Sequence, residues 1–81
     1  MDSNILKALN VAKEIMPDYQ MLKCYDYGNC YYFSCMKDNE MRNGPCIDKQ
    51  TFKRLNISSA ELMLFNNYIN EVDLKKEGYI S

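Results

Sequence analysis

The chain has 81 residues, of which 47% are hydrophobic and 26% are charged, and its formal net charge is −1. This length accommodates one hydrophobic core, so we expect a single small domain. The near-neutral charge disfavours a nucleic-acid-binding protein, because such proteins normally carry a clear positive excess. The histidine count of 0 excludes Ser/His and Cys/His catalysis and histidine-ligated metal sites.

The first segment has the periodicity of an amphipathic helix. Asp2 or Ser3 can cap its first turn, since short polar side chains accept hydrogen bonds from the unpaired N–H groups there. Pro17 ends it, because the residue before a proline is pushed out of the α region. The apolar residues at helical spacing are Ile5, Leu9, Ala12 and Met16.

A β-hairpin follows the helix. Residues 20–27 and 30–36 favour strands and flank Gly28-Asn29, a pair typical of a two-residue turn in which glycine supplies a positive φ. This turn sets Tyr25 opposite Tyr32 and Leu22 opposite Cys35. Because side chains alternate between the faces of a strand, the hairpin has two distinct faces. The expected core face carries Leu22, Cys24, Phe33 and Cys35, and the other face carries Tyr25, Tyr27 and Tyr32.

The rest of the chain is expected to complete the sheet and add a second helix. Residues 37–44 are polar and indicate a loop, residues 45–48 a short strand, and residues 52–57 a fourth strand after a tight turn. Ser58 and Glu61 form a capping box that starts a second helix, which ends near residues 70–72. Its apolar stripe includes Leu62, Phe65, Ile69 and Val72.

The predicted fold is therefore α+β. It consists of one helix, an antiparallel meander of three or four strands, and a second helix. Residues 1–72 form the domain, and residues 73–81 form a charged C-terminal tail that is frayed or lightly docked.

The four cysteines are expected to be buried, free thiols. No signal peptide or membrane span is recognisable, so we expect a cytoplasmic protein with reduced cysteines. Their spacing is wide, and alternation divides them between the two sheet faces, which disfavours a shared metal. Disulfides remain the alternative, with three possible connectivities. The residues are Cys24, Cys30, Cys35 and Cys46.

No arrangement of residues predicts catalysis. The chain has no histidine and no cysteine opens a helix, so the usual features that lower a cysteine pKa are missing, and the acidic residues lie in solvated loops and strand ends. The three glycines are isolated and form no phosphate-binding loop. We therefore expect no enzyme, no cofactor and no metal.

The tyrosines are the most unusual feature of the composition. Four of the seven lie in the hairpin. Cross-strand pairing alone would explain them, but exposed tyrosines also favour a protein-binding surface. The predicted partner-binding residues are Tyr25, Tyr27, Tyr32, Met36, Met41 and Arg42.

Two sequence stretches resemble a known layout. Asp26-Tyr27-Gly28-Asn29-Cys30-Tyr31-Tyr32-Phe33, followed by Ile47-Asp48-Lys49-Gln50-Thr51, resembles small bacterial and phage α+β proteins, some toxin-immunity proteins among them. That pattern has a glycine after the threonine, where this chain has Phe52. The resemblance implies a small antiparallel domain of bacterial or mobile-element origin and implies no catalytic residues.

These observations together favour a non-catalytic domain that docks on a partner protein, as an inhibitor or immunity protein does. Neither a nucleic-acid nor a membrane partner is expected. One alternative is a homo-oligomeric structural protein, a homodimer for example, that pairs through its sheet. A further alternative is a metal or redox module that uses the cysteines.

Overall fold

A computed structural model describes residues 1–58, 61 and 67–81 of the chain. In this part of the chain, one helix packs against an antiparallel sheet of five strands in the order β4-β3-β2-β1-β5. The prediction of a small α+β domain with an antiparallel sheet is confirmed. The elements are α1 (Ser3–Ile15), β1 (Gln20–Asp26), β2 (Cys30–Lys37), β3 (Glu40–Asp48), β4 (Arg54–Leu55) and β5 (Asn70–Asp73).

Helix α1 begins and ends where the sequence predicts. The Asp2 carboxylate caps it by accepting hydrogen bonds from the backbone N–H of Asn4 at 2.8 Å and of Ile5 at 3.4 Å. The helix ends at Ile15, two residues before Pro17. Two alanines on its buried face, Ala8 and Ala12, permit close packing on the sheet.

The register of the first hairpin is confirmed near its turn. Tyr25 pairs with Tyr32, and Gly28 has a φ of +92°, as the turn requires. The predicted pairing of Leu22 with Cys35 is wrong, because a β-bulge between Met21 and Lys23 sets Met21 opposite Cys35. The extra residue reverses the alternation, so Met21 enters the core in place of Leu22.

The predicted loop over residues 37–44 is wrong, because β3 already begins at Glu40. Asp38 and Asn39 form a two-residue turn with φ values of +54° and +62°. Aspartate and asparagine tolerate this left-handed conformation, which tight hairpins require. The polar residues that indicate a loop are instead the exposed first half of a strand.

A second bulge lies in β3, between the pairs Ser34–Asn43 and Tyr32–Cys46. Gly44 is required there, because a Cβ at this position would lie 2.3 Å from the carbonyl oxygen of Phe33. Beyond the bulge, β3 is buried and pairs with the two residues of β4. The predicted fourth strand over 52–57 is thus shorter than expected.

The second predicted helix falls largely outside the described residues, which omit 59–60 and 62–66. The Ser58 hydroxyl accepts the backbone N–H of Glu61 at 3.1 Å, as its predicted capping role requires. The extension of that helix to Val72 is wrong, since Asn70–Asp73 is strand β5 and Val72 pairs with Cys24. The free edge of β1 offers this segment backbone hydrogen bonds that override its helical periodicity.

The apolar residues between α1 and the sheet form the helix-side core. The segment after Asp73 contributes to it: Leu74 is fully buried, and Tyr79 and Ile80 pack against the same core. Within the described residues, no helix has both the length and the hydropathy needed to cross a membrane. The buried members of this core are Ile5, Ala8, Leu9, Ala12, Met21, Cys24, Tyr31, Phe33, Cys35, Ile47, Val72 and Leu74.

Candidate binding groove on the outer sheet face

The sheet face opposite α1, here called the outer face, has a small apolar cluster of its own. Strand alternation brings Tyr27, Cys30, Tyr32 and Cys46 together there, with Tyr25, Leu55 and Ile57 packed against them. Tyr27 is 9% exposed and Tyr32 only 4%. Two of the three tyrosines predicted to contact a partner are therefore mainly structural supports.

The aromatic rings of this face form a chain of contacts. The ring centroids of Tyr25 and Tyr32 lie 5.7 Å apart. The Tyr68 ring meets Tyr25 edge-on at 5.1 Å and Tyr27 edge-on at 6.3 Å. Such edge-to-face pairs are a favoured aromatic geometry. Tyr68 is 48% exposed, so the aromatic surface that solvent meets comes largely from this residue.

A groove of about 370 Å³ runs along these rings. It brings together five of the six predicted partner-binding residues: Tyr25, Tyr27, Tyr32, Met41 and Arg42. Sequence reasoning missed four other residues that line it, namely Ser34, Asn43, Tyr68 and Glu71. Alternation along β2 could have indicated Ser34, but the others depend on β3 and β5, which local patterns did not reveal.

The structure separates Met36 from the groove and gives Arg42 a different environment. Met36 pairs with Met41 but lines a separate depression beside the Asp38-Asn39 turn. Arg42 pairs with Cys35, a helix-side core residue, so its register position belongs to the helix side of the sheet. The Arg42 guanidinium forms an ion pair with Glu40 at the border of the groove.

Most polar groups that line the groove are neutral hydroxyl and amide groups. Among the described residues, the two charged side chains in its lining are Arg42 and Glu71. The Tyr32 hydroxyl donates to Asn43 Oδ1 at 2.8 Å, and burial raises the pKa of Tyr32 to about 12. Burial, and then the nearby Glu71 carboxylate, also raise the pKa of Tyr25. These phenols therefore remain protonated donors at neutral pH. Glu71 Oε2 lies 3.5 Å from Lys23 Nζ.

Ser34 has the one buried side-chain oxygen that finds no hydrogen-bond partner among the described residues. The residue is 8% exposed and lines the groove. A buried hydroxyl without a partner costs on the order of 1–3 kcal/mol. A ligand group that reached this oxygen would recover part of that cost.

The cysteines lie in both apolar clusters and are all free and buried. Burial raises the pKa of Cys24 and of Cys46 to about 12, so both stay as thiols at neutral pH. A thiol in this state is a poor nucleophile. Among the described residues, no group of three or more histidine, cysteine or acidic side chains could hold a metal ion.

Residues of the Asp26…Lys49 pattern hold two turns together. Lys49 Nζ lies 3.1 Å from both carboxylate oxygens of Asp26, and the Lys49 backbone N–H donates to the Asn29 carbonyl at 3.1 Å. The same ammonium lies 5.0 Å from the centroid of the Tyr31 ring. These contacts join the turn after β1 to the turn after β3, so this part of the pattern has a structural role.

No protein-family model matches this chain, and no curated protein or solved structure matches it at a significant level.

Proposed function

We propose that this protein is a small, non-catalytic domain that docks on a partner protein through the groove on its outer face. The observation that carries the proposal is the groove itself. Its wall combines the half-exposed Tyr68, the exposed Met41 and the buried Ser34 hydroxyl, which has no hydrogen-bond partner among the described residues. Tyrosine and methionine are enriched at protein interfaces.

The chemistry of the groove supports binding rather than reaction. Its phenols and amide can donate or accept hydrogen bonds, but the pKa values of Tyr25, Tyr27 and Tyr32 are raised further from neutrality. Groups tuned for acid–base catalysis normally have pKa values near the working pH. An inhibitor or immunity-type role, in which the domain occludes its target, needs only such a surface.

The same proposal includes a cytoplasmic location and a bacterial, phage or mobile-element origin. Its four free, buried thiols suit a reducing compartment. Their burial also disfavours the alternative of a thiol-based redox module, because such modules use accessible thiols of low pKa.

The groove can be tested with a double variant, Tyr25→Ser with Tyr68→Ser, that removes aromatic surface and leaves the buried Tyr27 and Tyr32 in place. Immobilised wild-type protein is expected to retain a defined protein from a bacterial lysate, and the double variant is expected to lose it. Leu6→Ser, which removes an exposed apolar side chain from α1, is the matched control. Equal retention by the two folded variants would contradict the proposal.

A further inference from the structure

Strand β3 has an uncovered edge in the described part of the chain. Its neighbour β4 pairs only with Cys46 and Ile47. The four residues at the start of β3, Glu40–Asn43, are all exposed, and Met41 is 62% exposed. An exposed strand edge presents unpaired N–H and C=O groups to any strand that approaches it.

The hairpin register determines which backbone groups point outwards. Lys37 and Glu40 flank a two-residue turn and pair with each other. In such a hairpin the flanking residues form a hydrogen-bonded pair, and bonded and non-bonded pairs alternate. Met41 and Asn43 therefore direct their N–H and C=O groups to the open edge. The Cys35 thiol, 3.4 Å from the carbonyl oxygen of Arg42, agrees with this, since that oxygen faces β2.

The side chains at the start of β3 are complementary to the same side chains of a second copy. Glu40 and Arg42 share one face of β3 and form an ion pair, and Met41 lies between them on the other face. If a second copy pairs antiparallel about Met41, each Glu40 lies opposite Arg42 of the other copy. Met41 then faces Met41 across the two-fold axis, where its outward N–H and C=O groups can pair.

The charges distinguish this register from its neighbour. Pairing about Arg42 would form more backbone hydrogen bonds, but it would set the two guanidinium groups opposite each other and Glu40 opposite Gly44. Like charges directly across a sheet are destabilising, and opposite charges are stabilising. The register about Met41 instead creates an alternating quartet of two carboxylates and two guanidinium groups.

We propose that this protein forms a symmetric homodimer by edge-to-edge pairing of β3 about Met41, which joins the two sheets into one. The inference is independent of the partner-binding role of the groove. Because Met41 also lines the groove, each copy would place its own Met41 beside the groove of the other. The paired stretch is short, so the dimer is weak and forms at high protein concentration.

Sedimentation equilibrium over a rising protein concentration tests the proposal. The wild-type mass is expected to rise from that of a 9.5 kDa monomer towards twice that value. Glu40→Arg or Arg42→Glu alone turns two attractive cross-copy pairs into repulsive ones and is expected to weaken association roughly tenfold. The double variant Glu40→Arg/Arg42→Glu restores the pairs and the net charge, so association is expected to return.

Charge reversals elsewhere, Glu77→Arg and Lys75→Glu, control for the change in net charge. Met41→Pro is a second test, because it removes the outward N–H and leaves the hydrogen bonds between β2 and β3 intact. Its association is expected to be lost while circular dichroism shows a folded protein. A wild-type monomer at every concentration would overturn the proposal. So would a dimer that the single reversals leave unchanged or that the double variant does not restore.

Discussion

Phe52 combines a bulky side chain with a left-handed backbone conformation. We therefore expect glycine to be more stable than alanine at this position. Its φ is +57°, and its N–H donates to the Asp48 carbonyl at 2.9 Å, closing the turn after β3. The Phe52 side chain offsets the backbone strain, because it packs on the helix-side core with the Lys7 ammonium 4.7 Å from its ring centroid.

The strain can be separated from the packing by comparing Phe52→Ala with Phe52→Gly, which both lose the ring. A left-handed residue other than glycine costs roughly 1–2 kcal/mol. Glycine avoids this strain, but it lowers the free energy of unfolding by about 0.4–1 kcal/mol relative to alanine, because the unfolded chain has more conformational freedom at a glycine. The glycine variant should therefore be more stable than the alanine variant by about 0.5–1 kcal/mol, with both below the wild type.

Urea unfolding measures the two free energies. The same pair of substitutions at Asn10, an exposed position inside α1, is the control, and there alanine should exceed glycine by about 1 kcal/mol. If alanine were as stable as glycine at position 52, the left-handed conformation would not be the source of strain.

Three further predictions concern the bulge, the turn after β3 and the thiols. Gly44→Ala should lower the free energy of unfolding by about 2–4 kcal/mol, because the new Cβ meets a backbone oxygen and strained bulges rank among the large single-site effects. The comparison is Gly78→Ala, whose Cβ meets only Met1 Cε at 3.9 Å and whose cost comes from its positive φ of +87° alone. A loss in Gly44→Ala no greater than the loss in Gly78→Ala would show that the contact with the backbone oxygen is not destabilising. Hydrogen bonds from Thr51 and Gln50 lower the pKa of Asp48, so it stabilises the fold above the pKa of an unfolded aspartate, and this contribution is lost as the pH falls through the lowered pKa. The free energy of unfolding, measured by circular dichroism at a series of acidic pH values, should therefore fall less steeply with decreasing pH in Asp48→Asn than in the wild type. The four buried thiols should resist a thiol reagent at pH 8 in the native protein and all react in urea, and rapid native labelling would contradict their burial.

Local patterns predicted the parts of the fold that depend on neighbouring residues in the chain. The helix follows from its apolar spacing, its Asp2 cap and Pro17. The pairing of Tyr25 with Tyr32 follows from a two-residue turn that fixes the register. Both features depend on contacts within a few residues, which periodicity and turn chemistry describe well.

The errors arise where one residue or one distant strand changes the outcome. The bulge at Leu22 adds a residue that alternation cannot reveal, and it exchanges Met21 for Leu22 in the core. Strand β5 exists because β1 has an open edge 48 residues earlier in the chain, as the contact between Lys23 and Glu71 illustrates. The helical spacing of Val72 is local information that this long-range pairing overrides.

The sequence predicted the hairpin residues of the candidate groove but not the residues that long-range strand pairing brings to it. The hairpin placed Tyr25, Tyr27 and Tyr32 on one face, but their burial depends on Cys46 of β3 and on the residues that pack over them. Tyr68 and Glu71, which form the far wall, come from the segment expected to be helical. The tyrosines in the sequence indicated an aromatic face. The groove on that face and the charged side chains that line it could be identified only from the tertiary structure.

The outer face of the sheet is the proposed binding surface for a partner protein. The most direct measurement compares what the wild type, Tyr25→Ser/Tyr68→Ser and Leu6→Ser retain from a bacterial lysate, after circular dichroism shows that all three are folded. Wild type and Leu6→Ser are expected to retain the same protein in near-stoichiometric amounts, and the tyrosine variant is expected not to retain it. Retention of that protein by the tyrosine variant, or loss of it by Leu6→Ser alone, would contradict a binding role for the outer face.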